Sequence, residues 1–143
     1  MKPTPPGWPR ISSAAFYDDA PAAIDWLVRA FGFSVRIRVD GEPGKIIHSE
    51  LVLGDGVVMV ASTGKSPHCK SPRSAGGVNT QSMFAYVDDA EAHCARARGA
   101  GAKIVTEPTT NDYGPEYWVD RSYECVDLEG HHWWFAHRVK TGA

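Results

Sequence analysis

Residues 113–135 read YGPEYWVDRSYECVDLEGHHWWF. From Tyr123 to Asp127 polar and apolar side chains alternate, which is the two-residue period of a strand with one buried face. Residues 128–130, Leu-Glu-Gly, predict a tight hairpin turn, because glycine adopts a positive φ at little cost. The aromatic run His131 to Phe135 favours a second strand. A hairpin so rich in Trp, Tyr, His and Arg is expected both to pack in a core and to form one wall of a pocket.

The residues before this hairpin complete one module. Residues 81–87 read as a strand, and Asp88-Asp89 opens a helix that runs to Gly99. A strand is expected over 102–108, followed by a loop through Asn111 and Asp112. Residues 81–138 therefore predict the order β-α-β-β-β.

The first half of the chain predicts the same order over residues 10–62. Asp19 suits a helix N-cap, Pro21 suits the first turn, and Gly32 suits the residue after the helix. The strands are expected at 10–17, 33–39, 45–53 and 57–62. Residues 63–80 are rich in Gly, Ser, Pro and Lys and predict a linker or flexible loop.

The two halves also match residue by residue. Phe16–Ala20 resembles Tyr86–Ala90 at an offset of 70 (86 minus 16), and 53–60 resembles 127–134 at an offset of 74 (127 minus 53). The alternative is chance, because acid pairs before helices and acid–Gly turns are common. Agreement in order, spacing and element type favours duplication.

Composition narrows the class of protein. A chain of 143 residues suits one domain made of two modules. The net charge of −2 predicts no attraction to nucleic acid, and no apolar run approaches the roughly 20 residues that cross a bilayer. Residues 1–9 carry no apolar stretch typical of a signal peptide, and Cys69, Cys94 and Cys125 predict no disulfide framework. We expect a cytoplasmic protein.

Paired β-α-β-β-β modules with these motifs resemble the vicinal oxygen chelate superfamily, which includes glyoxalases, bleomycin-resistance proteins and extradiol dioxygenases. The motifs are residues 22–33 and residues 120–133, the latter similar to a Gly-Asp-Arg … Asp-Pro-x-Gly-His-x-Trp ending with Val119 for Gly and Leu128 for Pro. The resemblance implies an α+β fold in which two curled mixed sheets form a cup with helices outside. It also implies a homodimer.

The resemblance implies metal ligands on the first and last strand of each module in metal-dependent members. Here those positions are Ser12, Val60, Ser82 and Trp134. Val60 and Trp134 cannot ligate a divalent ion, so we expect no metal cofactor. A register shift of one residue would reverse the faces and change this assignment.

Strand parity predicts which side chains line the cup. If Ser82 points inward, Phe84 and Tyr86 do too, and Trp134 brings His132 with it. On 45–53, either Ile46, His48, Glu50 and Val52 face inward, or Ile47, Ser49, Leu51 and Leu53 do. The second set is more apolar and better suited to packing under a helix. The expected lining is therefore His48, Glu50, Phe84, Tyr86, His132 and Trp134, with a mobile rim of Tyr113, Tyr117 and Trp118.

Several of these residues have two interpretations. His48 and Glu50 are an acid–base pair or a solvated pair at a sheet edge. Arg121 is an anion contact or a salt-bridged structural residue. Trp118 is a stacking lid or a packing residue, and Glu124 is a buried base or a surface charge.

The sequence favours a protein that binds a small, planar or aromatic molecule in an aromatic cup without the usual metal. One alternative is a lyase or isomerase, similar to lactoylglutathione lyase, that uses His48 and Glu50 or a non-standard metal site. Another is an interaction module whose cup is filled by its own side chains.

Overall fold

The computed structural model describes residues 1–142, which form two compact units, one from Met1 to Val78 and one beginning at Asn79. Each unit contains one α-helix and one four-stranded mixed sheet. The predicted α+β class and the tandem β-α-β-β-β order are confirmed.

The first unit consists of β1 Ser13–Tyr17, α1 Ala20–Phe31, β2 Ser34–Asp40, β3 Ile46–Leu53 and β4 Gly56–Ser62. Its first and last strands in chain order, β1 and β4, are parallel neighbours, and the other neighbouring pairs are antiparallel. The sheet order is β1-β4-β3-β2.

Helix α1 begins and ends where its sequence signals predict. The Asp19 carboxylate accepts a hydrogen bond from the Ala22 amide at 3.2 Å, and Pro21 lies in the first turn. Gly32 has φ 83° and donates its N–H to the Val28 carbonyl at 3.2 Å, which closes the last turn. The helix buries seven residues: Ala20, Ala23, Ile24, Trp26, Leu27, Ala30 and Phe31.

The second unit consists of β5 Ser82–Tyr86, α2 Ala90–Gly99, β6 Lys103–Asp112, β7 Trp118–Val126 and β8 His132–Thr141. It repeats the topology of the first, with sheet order β5-β8-β7-β6 and a parallel β5–β8 pair.

The loop predicted through Asn111 and Asp112 is wrong, because both residues belong to β6. They pair with Asp120 and Val119 of β7 and so extend the ladder to the end of the strand. Pro108 cannot donate to a ladder, and it lies in a register shift between Thr106 and Thr109. The strand continues beyond the irregularity, which the sequence pattern does not reveal.

Helix α2 covers one face of the second sheet through His93. The His93 ring lies 4.2 Å from the Phe135 ring, and its Nδ1 is 2.6 Å from the Tyr123 hydroxyl. Only Ala90, Cys94 and Ala97 are buried along this helix. We call the side of this sheet away from α2 the open face.

The two hairpins differ by one residue, and this corrects the offset of 74. Leu53 pairs with Gly56 across a two-residue turn, whereas the Asp127 amide donates to the His131 carbonyl at 3.0 Å across a three-residue turn. From β4 to β8 the offset is therefore 75, and the counterpart of Trp134 is Met59, not Val60. Val60 is fully buried on the face that holds Leu51, so the inward position assigned to it is wrong.

Within residues 1–142, neither helix combines the length and the apolar composition needed to cross a membrane.

Candidate functional site

The open face of the second sheet carries exposed aromatic side chains. Phe84 and Tyr86 are 56% and 52% exposed on β5, while Trp133 and Phe135 are buried on the opposite face of β8. Register pairing of Phe84 with Trp134 on parallel strands places Trp134 on the open face as well. The predicted alternation along β5 and β8 is confirmed.

One end of the open face is a polar and aromatic group that we call the Arg138 cluster: Arg138, Asp120, Tyr86 and Trp118. The Tyr86 hydroxyl donates to Asp120 Oδ2 at 3.0 Å, and Arg138 Nε donates to Asp120 Oδ1. The guanidinium lies 5.3 Å from the Tyr86 ring centre and 5.0 Å from that of Trp118. The hydrogen bond to Asp120 raises the pKa of Arg138, so this cation persists at any working pH.

The predicted rim residues adjoin this cluster. Tyr113, Tyr117 and Trp118 are all exposed, and the Trp118 ring lies 5.9 Å from Tyr113 and 6.0 Å from Tyr117. Hydrogen bonds hold the loop, because the Tyr113 amide donates to the Trp118 carbonyl and the Gly114 amide donates to Asp112 Oδ1. The rim brings three aromatic rings together at the start of β7.

The other end of the open face holds a histidine–glutamate pair. His132 Nδ1 lies 2.8 Å from Glu124 Oε1, and the Thr106 hydroxyl donates to Glu124 Oε2 at 3.5 Å. An open cavity of about 340 Å³ lies here. It is lined by Asn79, Thr80, Gln81, Ser82, Glu124, His132 and Trp134.

The sequence does not decide between a buried base and a surface charge for Glu124, whereas the structure pairs it with His132. The two are diagonal neighbours across the β7–β8 hairpin, since Glu124 is the register partner of Trp134 and Val126 that of His132. Both residues can be seen in the sequence, but predicting that they meet requires knowing that the turn between their strands has three residues.

In the first unit, His48 and Glu50 lie together as predicted. His48 Nε2 is 3.2 Å from Glu50 Oε1, and Arg36 Nε donates to Glu50 Oε2 at 2.8 Å. Arg36 also donates to the Gly7 carbonyl and lies over the Trp8 ring at 4.9 Å. Burial alone would raise the pKa of Glu50, but the hydrogen bonds and charges of His48 and Arg36 outweigh it and lower that pKa.

The faces of β3 follow the expected parity only in part. Ser49 and Leu51 are fully buried, as expected for residues under a helix. Ile47, assigned to the same set, is 53% exposed, while Ile46 is buried. Ile47 lies beside Gly41 in the turn at the end of the sheet, so the expectation that it packs under a helix is wrong.

Arg121 lies on the other face of the sheet from the exposed aromatic residues of the open face. Its Nε donates to Glu91 Oε1 of α2 at 2.7 Å, and its Nη1 donates to the Thr110 hydroxyl at 3.0 Å. Alternation along β7 puts Arg121 on the helix side with Tyr123 and puts Asp120 on the open face. The structure therefore does not bring Arg121 together with Phe84 or Tyr86, and its contacts are those of a structural ion pair.

The two glutamates occupy equivalent positions in the duplicated units. Glu50 and Glu124 differ by 74 residues, the offset between β3 and β7. Each contacts a histidine, but His48 lies on the same strand as its glutamate whereas His132 lies on the neighbouring strand. The glutamate is thus common to both units and its partner is not.

The positions that correspond to metal ligands do not fit a divalent ion. With the corrected register they are Ser12, Met59, Ser82 and Trp134, a set without imidazole or carboxylate. The Ser12 hydroxyl is buried without a hydrogen-bond partner among residues 1–142, and one hydroxyl does not make a site. No group of three or more His, Cys, Asp or Glu in this part of the chain could hold a metal.

Comparison with known proteins gives a consistent match. The glyoxalase/bleomycin resistance protein/dioxygenase superfamily model matches residues 10–135. An uncharacterized protein of Mycobacterium bovis is 35% identical over 131 residues, which cover 87% of this chain and 80% of that protein.

Solved structures of other proteins share the fold, among them TioX and TnmS3. TioX from Micromonospora sp. ML1 superposes with a TM-score of 0.70 at 35% identity, over 90% of this chain and 98% of its own. TnmS3, an antibiotic binding protein from Streptomyces sp. CB03234, superposes with a TM-score of 0.65 at 18% identity, over 89% and 93%. At that lower identity the likeness concerns the fold alone.

Proposed function

The chain belongs to the glyoxalase/bleomycin resistance protein/dioxygenase superfamily, and from this premise we propose that it binds a small planar aromatic molecule without the divalent metal of the metal-dependent members. The ligand lies on the open face of the second unit's sheet, between the Arg138 cluster and the His132–Glu124 pair.

The observation that carries the proposal is the exposure of large aromatic side chains on this face and its rim. Soluble proteins bury most such rings, so a contiguous exposed group indicates a surface that something covers. The exposed members are Phe84, Tyr86, Tyr113, Tyr117 and Trp118.

The cavity beside Trp134 adds the polar component. Small-molecule sites combine aromatic walls with a few polar groups in a volume of roughly 300–1,000 Å³. The cavity of about 340 Å³ is at the lower end of that range, which is large enough for a ligand of one to two fused rings. An antibiotic-binding relative of the same fold, TnmS3, is consistent with this use of the scaffold.

Titration calorimetry against a panel of aromatic compounds, bleomycin included, tests the proposal. Phe84→Ala is expected to weaken binding of the best ligand by about three- to tenfold, because a ring contact contributes roughly 0.5–1.5 kcal/mol. Val35→Ala is the matched control, since Val35 is an exposed apolar strand residue of the first unit. No binding to any member of the panel, or equal affinity of wild type and Phe84→Ala, would contradict the proposal.

A second candidate function is proton transfer of the lyase or isomerase type by His48 and Glu50. The 3.2 Å contact between them is the observation that favours it, since a carboxylate orients an imidazole for acid–base work. Turnover of a glyoxalase substrate by the purified protein, with and without added Zn²⁺ or Ni²⁺, tests this function. Loss of that turnover in His48→Gln would support it, and no turnover in either condition would reject it.

We also expect the protein to assemble as a homodimer. Light scattering of the purified chain measures this directly, and a mass of 15.6 kDa in solution would contradict it.

A further inference from the structure

Glu124 fixes the hydrogen positions of His132. An ionised carboxylate only accepts hydrogen bonds, so the ring nitrogen at 2.8 Å from Glu124 Oε1, Nδ1, carries the hydrogen. In the neutral ring, the other nitrogen, Nε2, is then the one that carries the lone pair. His132 thus presents a proton acceptor whose ring is oriented by its partner.

The acceptor is accessible and lies beside an aromatic surface. The His132 side chain is 36% exposed, whereas that of Glu124 is 16% exposed. Ser82 is the register partner of His132 on the neighbouring parallel strand, and Trp134 follows on the same face of β8. All four residues line the cavity, so a ring lying along Trp134 reaches His132 with its edge.

We propose that His132 accepts the acidic hydrogen of a phenolic or enolic hydroxyl on the planar ligand, an inference that rests on the proposed function. The hydroxyl proton moves from the ligand oxygen to His132 Nε2, and the ligand is bound as its oxyanion next to an imidazolium. Glu124 stabilises that imidazolium through the Nδ1 hydrogen bond. The ligand class is therefore a planar ring system that carries an acidic hydroxyl.

The His48–Glu50 pair is less suited to this task. Glu50 already accepts a hydrogen bond from Arg36 at 2.8 Å, so a permanent cation neutralises its charge. Among the described residues, the contacts of Glu124 are His132 and the uncharged Thr106. Glu124 therefore has its whole negative charge available to stabilise a protonated His132.

A coloured phenol and its methyl ether test the inference. The probe is 7-hydroxycoumarin, whose oxyanion absorbs at longer wavelength than the phenol, and the matched control is 7-methoxycoumarin. At a pH of about 7, where the free probe is still mostly protonated and an ordinary imidazole is mostly neutral, wild-type protein is expected to produce the oxyanion band and to bind the phenol about tenfold more tightly than the ether. His132→Gln is expected to abolish the band and to leave ether binding within twofold.

Two further variants keep the test independent of folding effects. Glu124→Gln is expected to reduce the oxyanion band while retaining ether binding, and His68→Gln, at an exposed histidine of the first unit outside both candidate sites, is expected to change neither. An unchanged band in His132→Gln, or equal affinity of wild type for phenol and ether, would overturn the inference and leave the proposed aromatic site standing. Absence of binding of both compounds would overturn both.

Discussion

The Asp127 side chain organises the turn of the second hairpin. Its Oδ1 accepts hydrogen bonds from the amides of Glu129, Gly130 and His131 at 3.0–3.1 Å, and its Oδ2 accepts one from Trp133 Nε1 at 3.0 Å. The residue is buried. One carboxylate therefore satisfies the backbone donors of the turn and anchors the indole that packs under α2.

We expect Asp127→Asn to destabilise the protein by about 1–3 kcal/mol. The amide oxygen can still accept from the turn, but the amide NH₂ would face the Trp133 N–H, which leaves a buried donor unpaired. Urea unfolding followed by circular dichroism measures the change in the free energy of unfolding.

Asp55→Asn is the matched control, because Asp55 is exposed in the two-residue turn of the first hairpin. We expect its effect to lie within about 0.5 kcal/mol. Equal effects of the two substitutions would show that the Asp127 side chain does not organise its hairpin.

Glu50 makes the free energy of unfolding depend on pH in the acid range. Its pKa is lowered in the folded protein, so its contribution is fully present above the ordinary carboxyl value of 4.5 and is lost as pH falls below it. Glu50→Gln is expected to be less stable than wild type at pH 7 and to lose less stability between pH 5 and pH 3. Thermal unfolding across that range, with the exposed Glu42→Gln as control, measures this difference. Parallel pH profiles for wild type and Glu50→Gln would contradict it.

At the scale of elements, the two helices bury different amounts of apolar surface. Helix α1 buries seven residues, including Trp26, Leu27 and Phe31, whereas α2 buries only Ala90, Cys94 and Ala97. Small side chains remove little apolar area from water, so packing stabilises α2 less. The contact of His93 with Tyr123 and Phe135 has a larger share in holding α2 to its sheet.

Native-state hydrogen exchange should therefore report earlier opening of α2 than of α1. Asp89→Ala removes the N-cap contact to the Ala92 amide at 3.1 Å and is expected to raise exchange in α2 by about fivefold, which corresponds to roughly 1 kcal/mol. Asp19→Ala is the equivalent change in α1. Equal protection of the two helices in wild type would contradict this ranking.

The elements that the sequence predicts well are those whose signals are local. Asp19, Pro21 and Gly32 mark α1, and alternation marks the faces of β5 and β8. The end of β6 and the register of β4 depend instead on pairing with distant strands and on a one-residue difference between turns. For the same reason, the sequence pattern does not predict the contact of Tyr123 with His93.

The residues of the candidate site also fall into those that a local sequence pattern predicts and those that it does not. Phe84 and Tyr86 follow from parity within one strand. The pairs Arg36–Glu50 and Arg121–Glu91 join residues 14 and 30 positions apart, and no local pattern indicates which charge meets which.

At the scale of the whole molecule, the segment that joins the two sheets has two parts, residues 63–74 and residues 75–81. Its first part is tied to Asp18, which accepts hydrogen bonds from the hydroxyls of Thr63 at 2.8 Å and Ser74 at 3.0 Å and lies 3.8 Å from Arg73 Nε. Burial would raise the pKa of Asp18, but these hydroxyl contacts and Arg73 outweigh it and lower the pKa. Residues 75–77 form a turn, and residues 78–81 contain no helix or strand.

Limited proteolysis with a protease of broad specificity should cut first within residues 75–81, because this stretch is largely exposed and lies outside any helix or strand. The expected products are two fragments that correspond to the two units. Asp18→Asn should add cuts within 63–74, since it replaces the charged acceptor of that part. Mass spectrometry of the fragments identifies the sites, and a first cut inside any strand would contradict the expectation.

The position of Arg138 has a consequence for selectivity. Its guanidinium already lies over Tyr86 and Trp118, so the protein supplies a flat cation where a flat guest would stack. A ligand that stacks on these rings must either displace this guanidinium, which Asp120 holds by a hydrogen bond, or lie on its outer face. Asp120 also offsets the charge of Arg138, so the pair exerts little net attraction on an anionic ligand and little repulsion on a cationic one. The aromatic surface therefore selects ligands by how they fit around the guanidinium before any contact with a base or a hydroxyl is made.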